Sequence, residues 1–407
     1  MLAKPLLQKH CILVKTPLQQ SKLLSRVQNY CSERCILLKD TTAATRMRLR
    51  WTLITAAAAA LAPRWQPRSL GQTDLKTQVP LGIGTWQAGN RLLYDYSPAR
   101  DAALLEAWSS AAAAGVSYFD SGDSYGTGEL EGNAETLLGR FSETTANVCV
   151  HTKLATYPWR LRAEDFVAAC EASKRRTGGV ALVGQHWSAE SYGLGFLQDP
   201  AVYKGLAACV TRGLARGVGL SNLGPRGLRR GVDAVNAAGA PVATHQTQFS
   251  LLCRAPLEDG SFDVADDCGV TSVGYSPLCL GLLSGRYSAA YATALGRRGA
   301  DASRLPNGIR GFLFRTQLPK LADLLGALEA VADERGATVG QVALAWCLRA
   351  RGNDKAPPLA LVGARTPDMV RDALGALRVD LSPSDVEGLA STAARCPQAQ
   401  VNAFQTK

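Results

Sequence analysis

Four polar side chains of different chemistry follow three successive apolar runs of the sequence: Asp120 and Tyr125, then Lys153, then His186. A phenol has an ordinary pKa of about 10, so Tyr125 alone is a poor proton donor at neutral pH. An adjacent ammonium lowers the pKa of a phenol, and a carboxylate beside the ammonium keeps it in place and charged. The set therefore predicts a general acid, Tyr125, tuned by Lys153 and Asp120. His186 is then expected to hydrogen-bond a substrate carbonyl oxygen and fix its orientation.

Eight short apolar runs, each followed by a helical pattern rich in Ala and Leu, make up the chain from residue 71 onward. The runs cover residues 81–86, 117–120, 148–152, 180–185, 217–220, 242–246, 270–275 and 359–362. Strands that alternate with helices indicate parallel βαβ units. Eight such units predict an α/β fold of the (β/α)8 TIM-barrel type, whose active sites lie at the C-terminal strand ends. The polar side chains that follow the second, third and fourth runs are therefore expected to meet there.

The net charge of +11 comes almost entirely from the N-terminal part of the chain. Residues 1–70 hold 12 Lys and Arg against 2 Asp and Glu, a net +10, which leaves +1 for the remainder. Apolar residues make up 46% of the chain and charged residues 19%, as is usual for soluble globular proteins. The body of the chain is therefore not expected to bind nucleic acid.

The basic N-terminal part has the composition of a targeting segment, which we assign to residues 1–68, ahead of one domain at 69–407. It is poor in acid and rich in Lys, Arg, Ser, Thr and Leu, as in plastid or mitochondrial transit peptides. Residues 46–62 add three arginines, a short apolar stretch and an Ala run, which is typical of a secretory signal and too short for a membrane span. This leaves three readings: a plain transit peptide, a bipartite plastid signal, or translation from Met47.

The 11 cysteines predict neither a metal site nor a disulfide framework. Residues 71–407 contain no CxxC pair and no His/Cys cluster with metal-ligand spacing. We therefore expect buried or incidental thiols in a reducing compartment.

The longest stretch without clear periodicity is 280–316, which contains six arginines and a single acidic residue, Asp301. The arginines are Arg286, Arg297, Arg298, Arg304, Arg310 and Arg315. A loop of this length in a compact domain commonly serves as a lid or binding loop. We expect it to contact an anionic ligand, with a solvated basic loop as the alternative.

The polar residues at the strand ends resemble those of the aldo-keto reductase family. The resembling motifs are Tyr-Phe-Asp-Ser-Gly-Asp-Ser-Tyr-Gly at 118–126, His-Thr-Lys-Leu at 151–154 and Gln-His-Trp at 185–187. The resemblance covers essentially all of the chain from residue 71 onward. It implies an N-terminal hairpin ahead of the barrel and hydride transfer from a nicotinamide cofactor to an aldehyde or ketone. It also implies catalytic roles for Asp120, Tyr125, Lys153 and His186.

The same resemblance implies a cofactor site. Segments 217–222 and 246–252 are similar to the parts of the family that contact the nicotinamide carboxamide, and 274–278 to the part whose tyrosine stacks on the nicotinamide ring. The implied cofactor-binding residues are Ser221, Asn222, Gln246, Tyr275, Ser276, Leu278, Gly363, Arg365 and Thr366. No strand-associated GxGxxG motif occurs, which agrees with a cofactor site outside a Rossmann fold.

The chain departs from the family where the 2′-phosphate of NADPH is bound after strand eight. The family commonly uses a basic residue, a Gln or Arg, and a Glu-Asn pair. Arg365 keeps the basic position, whereas Met369 stands at the second position and Asp372-Ala373 replaces the pair. Because Arg365 can still pair with a phosphate, NADPH is expected rather than NADH, with weakened affinity.

Further segments resemble the plastid members of the family that reduce pyridoxal. These are 82–90, 123–128, 157–161, 184–188, 312–315 and 402–406, whereas 253–256 is more similar to other plastid members. The resemblance implies reduction of pyridoxal to pyridoxine in the chloroplast stroma, with the thylakoid lumen or the mitochondrion as alternatives. A flat pyridine aldehyde suits an aromatic pocket, for which Trp86, Trp159 and Trp187 are candidates.

Two other functions stay open at this point. One is a plastid reductase that clears reactive carbonyls of many kinds, and the other is a cofactor-holding regulatory subunit without rapid turnover. In each case we expect a small-molecule ligand and a monomer or weak oligomer.

Overall fold

The computed structural model describes residues 65–396 except positions 194 and 298, together with Thr406. These residues belong to the compact unit Ala57–Lys407. Most of the expected targeting segment, Arg298 and most of the segment 402–406 lie outside the described residues. Within the described ranges, no helix is both long enough and apolar enough to span a bilayer.

The strands form a small hairpin and a closed barrel. They are β1 Arg68–Ser69, β2 Lys76–Thr77, β3 Leu81–Gly84, β4 Tyr118–Gly122, β5 Cys149–Leu154, β6 Leu182–Gln185, β7 Gly217–Ser221, β8 Val242–Gln248, β9 Thr271–Tyr275 and β10 Leu359–Val362. Strands β1 and β2 pair antiparallel, and β3 to β10 close a parallel barrel in the order β10-β3-β4-β5-β6-β7-β8-β9. The predicted TIM barrel and its N-terminal hairpin are confirmed.

Each of the eight predicted runs overlaps one barrel strand, and the bounds differ by at most two residues. The first run was predicted to reach residue 86, but β3 ends at Gly84. The backbone N–H of Thr85 donates to the carbonyl of Asp120 at 2.9 Å, and the N–H of Ala88 donates back to Thr85 at 2.8 Å. The chain therefore turns at this point and brings Trp86 over the strand ends.

The helices follow the strands around the barrel. They are α1 Arg91–Tyr94, α2 Asp101–Ala113, α3 Asn133–Ser142, α4 Ala163–Thr177, α5 Gly195–Thr211, α6 Pro225–Ala237, α7 Ala255–Glu258, α8 Ser261–Asp267, α9 Ala289–Gly296, α10 Gly308–Gln317, α11 Ala322–Arg335, α12 Val339–Arg349, α13 Pro367–Gly375 and α14 Pro383–Ala394. The prediction of an irregular loop over 280–316 is wrong, because α9 and nearly all of α10 lie within it. At 8 and 10 residues these helices are too short to show a clear apolar face in the sequence.

The inner face of the barrel is apolar at its N-terminal end and polar toward its C-terminal end. Apolar side chains close the bottom, among them Leu70, Leu182 and Leu359. Above them, the register places Asp120 beside His151 and Gly122 beside Lys153 on neighbouring strands. The polar side chains therefore point into the barrel at the end where TIM-barrel sites lie.

Helices α3 and α4 approach each other closely at Gly139. A Cβ at this position would lie 2.1 Å from the backbone oxygen of Arg176. Because backbone must shift to admit it, Gly139→Ala is expected to lower the free energy of unfolding by about 1–3 kcal/mol. Gly388→Ala is the matched control, since its Cβ meets nothing within 4 Å and Ala favours the helix by about 1 kcal/mol. Urea unfolding measures both, and a Gly139→Ala variant as stable as the wild type would contradict this close packing.

Candidate active site

A cavity of about 660 Å³ opens at the C-terminal ends of the barrel strands. Most of the residues predicted for the site line it: Trp86, Asp120, Tyr125, His186, Trp187, Asn222, Gln246, Tyr275, Ser276, Leu278, Gly363 and Arg365. Lys153 and Ser221 lie directly behind these residues, each 1% exposed. The structure therefore brings together nearly all of the residues that the sequence suggested.

A buried ion pair lies beneath the cavity. The Lys153 ammonium donates to Asp120 Oδ2 and, at 2.6 Å, to the backbone carbonyl of Ser121. Gln246 Nε2 donates to the other carboxylate oxygen, Asp120 Oδ1, at 2.8 Å. Burial alone would raise the pKa of Asp120, but the charge of Lys153 and the hydrogen bond from His151 outweigh it and hold the pKa at about 2. Asp120 is therefore ionised throughout the neutral range.

Tyr125 lies over this ion pair. Its ring centroid is 5.0 Å from Lys153 Nζ and 5.4 Å from the ring of His186. Burial raises the pKa of Tyr125 well above its ordinary value, and the carboxylate of Asp120 raises it further. The net shift of the Tyr125 pKa is therefore upward, opposite to the predicted lowering, because burial of the phenol and the Asp120 charge dominate. Tyr125 is protonated at neutral pH.

His186 is a neutral imidazole at the cavity wall. Burial lowers its pKa to about 3, and the positive charge of Lys153 contributes in the same direction. The hydroxyl of Ser124 lies 3.1 Å from Nδ1 of His186. A hydroxyl that donates to Nδ1 leaves the proton on Nε2, so the ring can donate a hydrogen bond from that atom.

The residues implied for the nicotinamide contacts form one connected group. Asn222 has a left-handed backbone, with φ of 60°, and its N–H donates to the carbonyl of Gln246 at 2.9 Å. The Asn222 side chain accepts from the hydroxyl of Tyr275 and donates to the carbonyl of His186, both at 3.0 Å. The buried hydroxyl of Ser221 has no hydrogen-bond partner among the described residues. This polar group beside an aromatic face is suited to an amide-bearing aromatic ring.

Three arginines give one side of the cavity a positive charge. Arg286, Arg310 and Arg365 line it, and none of them pairs with a carboxylate in the described part of the chain. Burial lowers the pKa of Arg365, and the charge of Arg310 adds to this effect. Uncompensated guanidinium groups in a cavity favour phosphate or carboxylate ligands.

Only some of the arginines in the segment 280–316 contribute to this positive charge. Arg286 and Arg310 line the cavity, whereas Arg304 stacks on Tyr291 with its guanidinium carbon 4.7 Å from the ring centroid. Arg297 and Arg315 are exposed and absent from the cavity lining. Of the five arginines of this stretch that the structure describes, two therefore line the cavity where an anion could bind.

Two predicted residues lie elsewhere. The assignment of Trp159 to the substrate pocket is wrong, because its ring is 71% exposed and stacks on Tyr157 with centroids 4.6 Å apart. Thr366 is the N-cap of α13, where its hydroxyl accepts from the N–H of Met369 at 3.3 Å. Thr366 is absent from the residues that line the cavity.

Among the cavity-lining side chains that sequence reasoning missed are Ser124, Tyr94 and Phe314. Ser124 lies inside the motif at 118–126, immediately before Tyr125, so its position was a usable signal. Tyr94 and Phe314 belong to the short helices α1 and α10, outside the repeating strand-helix pattern, and nothing in their spacing marked them.

A model of the aldo/keto reductase family matches residues 80–394 of this chain. The chain belongs to the aldo/keto reductase family. Pyridoxal reductase, chloroplastic, of Arabidopsis thaliana is 38% identical over 353 residues, which cover 84% of this aldo/keto reductase and 90% of the relative. L-glyceraldehyde 3-phosphate reductase of Escherichia coli (strain K12) is 25% identical over 276 residues, 65% of this chain and 75% of the relative.

A solved structure supports the fold of this aldo/keto reductase. A thermostable aldo-keto reductase in complex with the inhibitor epalrestat matches with a TM-score of 0.58 and 24% identity, covering 80% of this chain and 99% of that one. Together, the family and the relatives identify the chain as an NADP-dependent oxidoreductase. Members of the family act on small carbonyl compounds with nicotinamide cofactors.

At positions 369 and 372 this aldo/keto reductase departs from the family pattern, and the structure shows what each side chain contacts. Met369 lines the cavity and is 41% exposed. The Asp372 carboxylate points to α12, where it accepts from the Thr338 hydroxyl and the Gln341 amide, each at 2.9 Å. Its charge is therefore engaged away from Arg365.

Proposed function

We propose that this aldo/keto reductase reduces pyridoxal to pyridoxine with NADPH. The observation that carries the chemistry is the meeting of a protonated phenol, Tyr125, and a neutral imidazole, His186, above the buried pair of Asp120 and Lys153. The substrate is supported by 38% identity to a relative named as a chloroplastic pyridoxal reductase.

Tyr125 is the proposed general acid. A bound nicotinamide supplies the hydride to the carbonyl carbon. His186 donates a hydrogen bond to the carbonyl oxygen and orients it, and Tyr125 transfers its proton to the same oxygen as negative charge develops there. The phenolate that remains is stabilised by the Lys153 ammonium, which lies 5.0 Å from the ring centroid. Asp120 keeps that ammonium charged and in place.

The fit to a nicotinamide cofactor rests on the polar group and the arginines. The hydroxyl of Ser221, which has no partner within the described ranges, and the amides of Asn222 and Gln246 would hold the carboxamide, with the Tyr275 ring against the nicotinamide. The other proposed contacts are Ser276, Leu278 and Gly363. Arg365 would bind the 2′-phosphate, so we propose NADPH rather than NADH.

The proposed carbonyl end of the cavity has aromatic walls. The ring of Trp86 lies 5.6 Å from Tyr94 and 6.5 Å from Tyr125, and the ring of Trp187 lies 4.8 Å from His186. Flat pyridine rings pack well between such faces. An aldehyde on that ring would then reach Tyr125 and His186 together.

We also propose that residues 1–68 direct the chain to the chloroplast and that 69–407 form the enzyme. The charge of residues 1–70 and the printed name of the Arabidopsis relative support this. Trp65 lies within residues 1–68 and contacts the folded domain, since its indole N–H donates to the carbonyl of Leu377 at 3.3 Å. Import into isolated chloroplasts and N-terminal sequencing of the product test the proposal; exclusion from the stroma would contradict it.

The substrate is tested by comparing kcat/KM for pyridoxal, benzaldehyde and propanal with NADPH. Pyridoxal is expected to exceed both by about 10-fold or more, because a site that pairs with the ring substituents discriminates against analogues without them. Equal values for all three would indicate a broad carbonyl reductase instead. Tight NADPH binding without turnover of any aldehyde would indicate a cofactor-holding subunit.

The general acid is tested with Tyr125→Phe. Loss of the hydroxyl is expected to lower kcat about 10²–10⁴-fold while NADPH affinity, measured by fluorescence, stays unchanged. Tyr157→Phe is the matched control, since among the described residues its half-buried hydroxyl bonds only Glu131, at 3.2 Å. Reduction needs the protonated phenol and the pKa of Tyr125 is raised, so wild-type kcat should stay flat through neutral pH and fall only in strong alkali. Normal turnover in Tyr125→Phe would reject the assignment.

Cofactor choice is tested with Arg365→Leu. Removing a charged phosphate contact is expected to weaken NADPH binding about 10- to 100-fold and to leave NADH binding unchanged. Arg371→Leu is the control on the same helix, because Arg371 is exposed and Asp368 is its one ion-pair partner in the part of the chain that the structure describes. Titration calorimetry measures both cofactors. Equal losses for NADPH and NADH would place Arg365 away from the 2′-phosphate.

A further inference from the structure

His151 is a buried imidazole beneath the candidate active site. The proposed chemistry gives this residue no role. It lies on β5, two residues before Lys153, and it is 0% exposed. A Cβ added at Gly184 would lie 2.5 Å from Nε2 of His151, and one added at Gly219 would lie 2.4 Å from the same atom. Strands β6 and β7 thus leave a niche that the ring of His151 fills.

The other ring nitrogen of His151 faces the catalytic carboxylate. Nδ1 lies 3.0 Å from Asp120 Oδ1 and 2.7 Å from the hydroxyl of Tyr118. Burial lowers the pKa of His151, so the ring is neutral. Because Asp120 is ionised and can only accept, the proton belongs on Nδ1. Nε2 has no hydrogen-bond partner among the described residues, which agrees with this tautomer.

We propose that His151 is a positioning residue, which holds the carboxylate of Asp120 in the orientation that keeps the Lys153 ammonium beneath Tyr125. The inference rests on the proposed role of Tyr125. Two donors reach Asp120 Oδ1, His151 and Gln246. Gln246 also lines the cavity and is a proposed contact of the nicotinamide carboxamide, so its amide is shared. His151 is sealed below the cavity and keeps its bond whether or not Gln246 turns to a ligand.

Without His151 the buried carboxylate loses a donor, and the pKa of Asp120 rises. A protonated Asp120 no longer holds the ammonium in place, so the phenolate formed by Tyr125 loses its counter-charge. The loss therefore falls on kcat at acidic pH. In the wild type the pKa of Asp120 is about 2, so no decline of kcat at acidic pH is expected in the pH range of the assay.

The test compares His151→Leu with His151→Asn in the full chain, using the best carbonyl substrate found for the wild type. Leu is similar in size to His but has no hydrogen-bond donor, whereas the side-chain amide of Asn can donate to Asp120 in place of the His151 Nδ1–H. His151→Leu is expected to lower kcat about 10-fold, with KM unchanged, and to add an acidic limb to the pH profile of kcat. His151→Asn should restore the wild-type profile. A pH-independent loss in Leu, or an Asn variant no better than Leu, would overturn the proposal.

A measurement on the wild type keeps the proposal testable if the variants do not fold. Nitrogen NMR of the imidazoles should show His151 neutral and protonated on Nδ1 at neutral pH. A ring protonated on Nε2 would contradict the proposal. This measurement does not depend on turnover. It therefore tests the proposed role of His151 separately from the proposed reaction, whose failure would appear as no reduction of any carbonyl compound by the wild type.

Discussion

The buried ion pair between Asp120 and Lys153 is the constraint on which the rest of the site depends. Moving two charges out of water costs several kcal/mol for each ion, and their attraction offsets this cost only when the remaining donors and acceptors are satisfied. Both side chains are 1% exposed, so protein groups must supply those partners. They come from three strands: the Ser121 carbonyl on β4, His151 on β5 and Gln246 on β8. A slip in the register of any of these strands would leave a buried charge without a partner, so the ion pair selects the barrel register as well as the site.

The ion pair also divides the cavity by charge. Its two charges cancel locally, and Tyr125 and His186 above it are neutral at physiological pH. The uncompensated positive charge lies instead at Arg286, Arg310 and Arg365. A ligand with phosphates at one end and an uncharged aromatic ring at the other is therefore oriented before any close contact forms. Since the cavity is partly enclosed, salt screens this field less than it would at an open surface.

The sequence predicted the four catalytic candidates because parallel strands bring their C-terminal ends to one place, and residue types at those ends can be read directly. The positioning role proposed for His151 could not be found in this way. This residue stands in an ordinary buried strand, and its position depends on Gly184 and Gly219 on two other strands. The predicted direction of the Tyr125 pKa shift was wrong for a related reason, since desolvation of the phenol is set by the whole surrounding structure.

The walls of the cavity come from a different part of the fold than its chemistry. Tyr94 lies on the short helix after β3, and Phe314 lies on α10 in the long segment after β9. The Arg310 guanidinium joins them, at 5.4 Å from the ring of Tyr94 and 5.1 Å from that of Phe314, and it donates to the Leu280 carbonyl at 2.6 Å. Two segments that are distant in sequence are thereby tied into one wall. Because neither segment belongs to the barrel strands, the wall can change in shape while the ion pair and the proposed acid above it stay fixed.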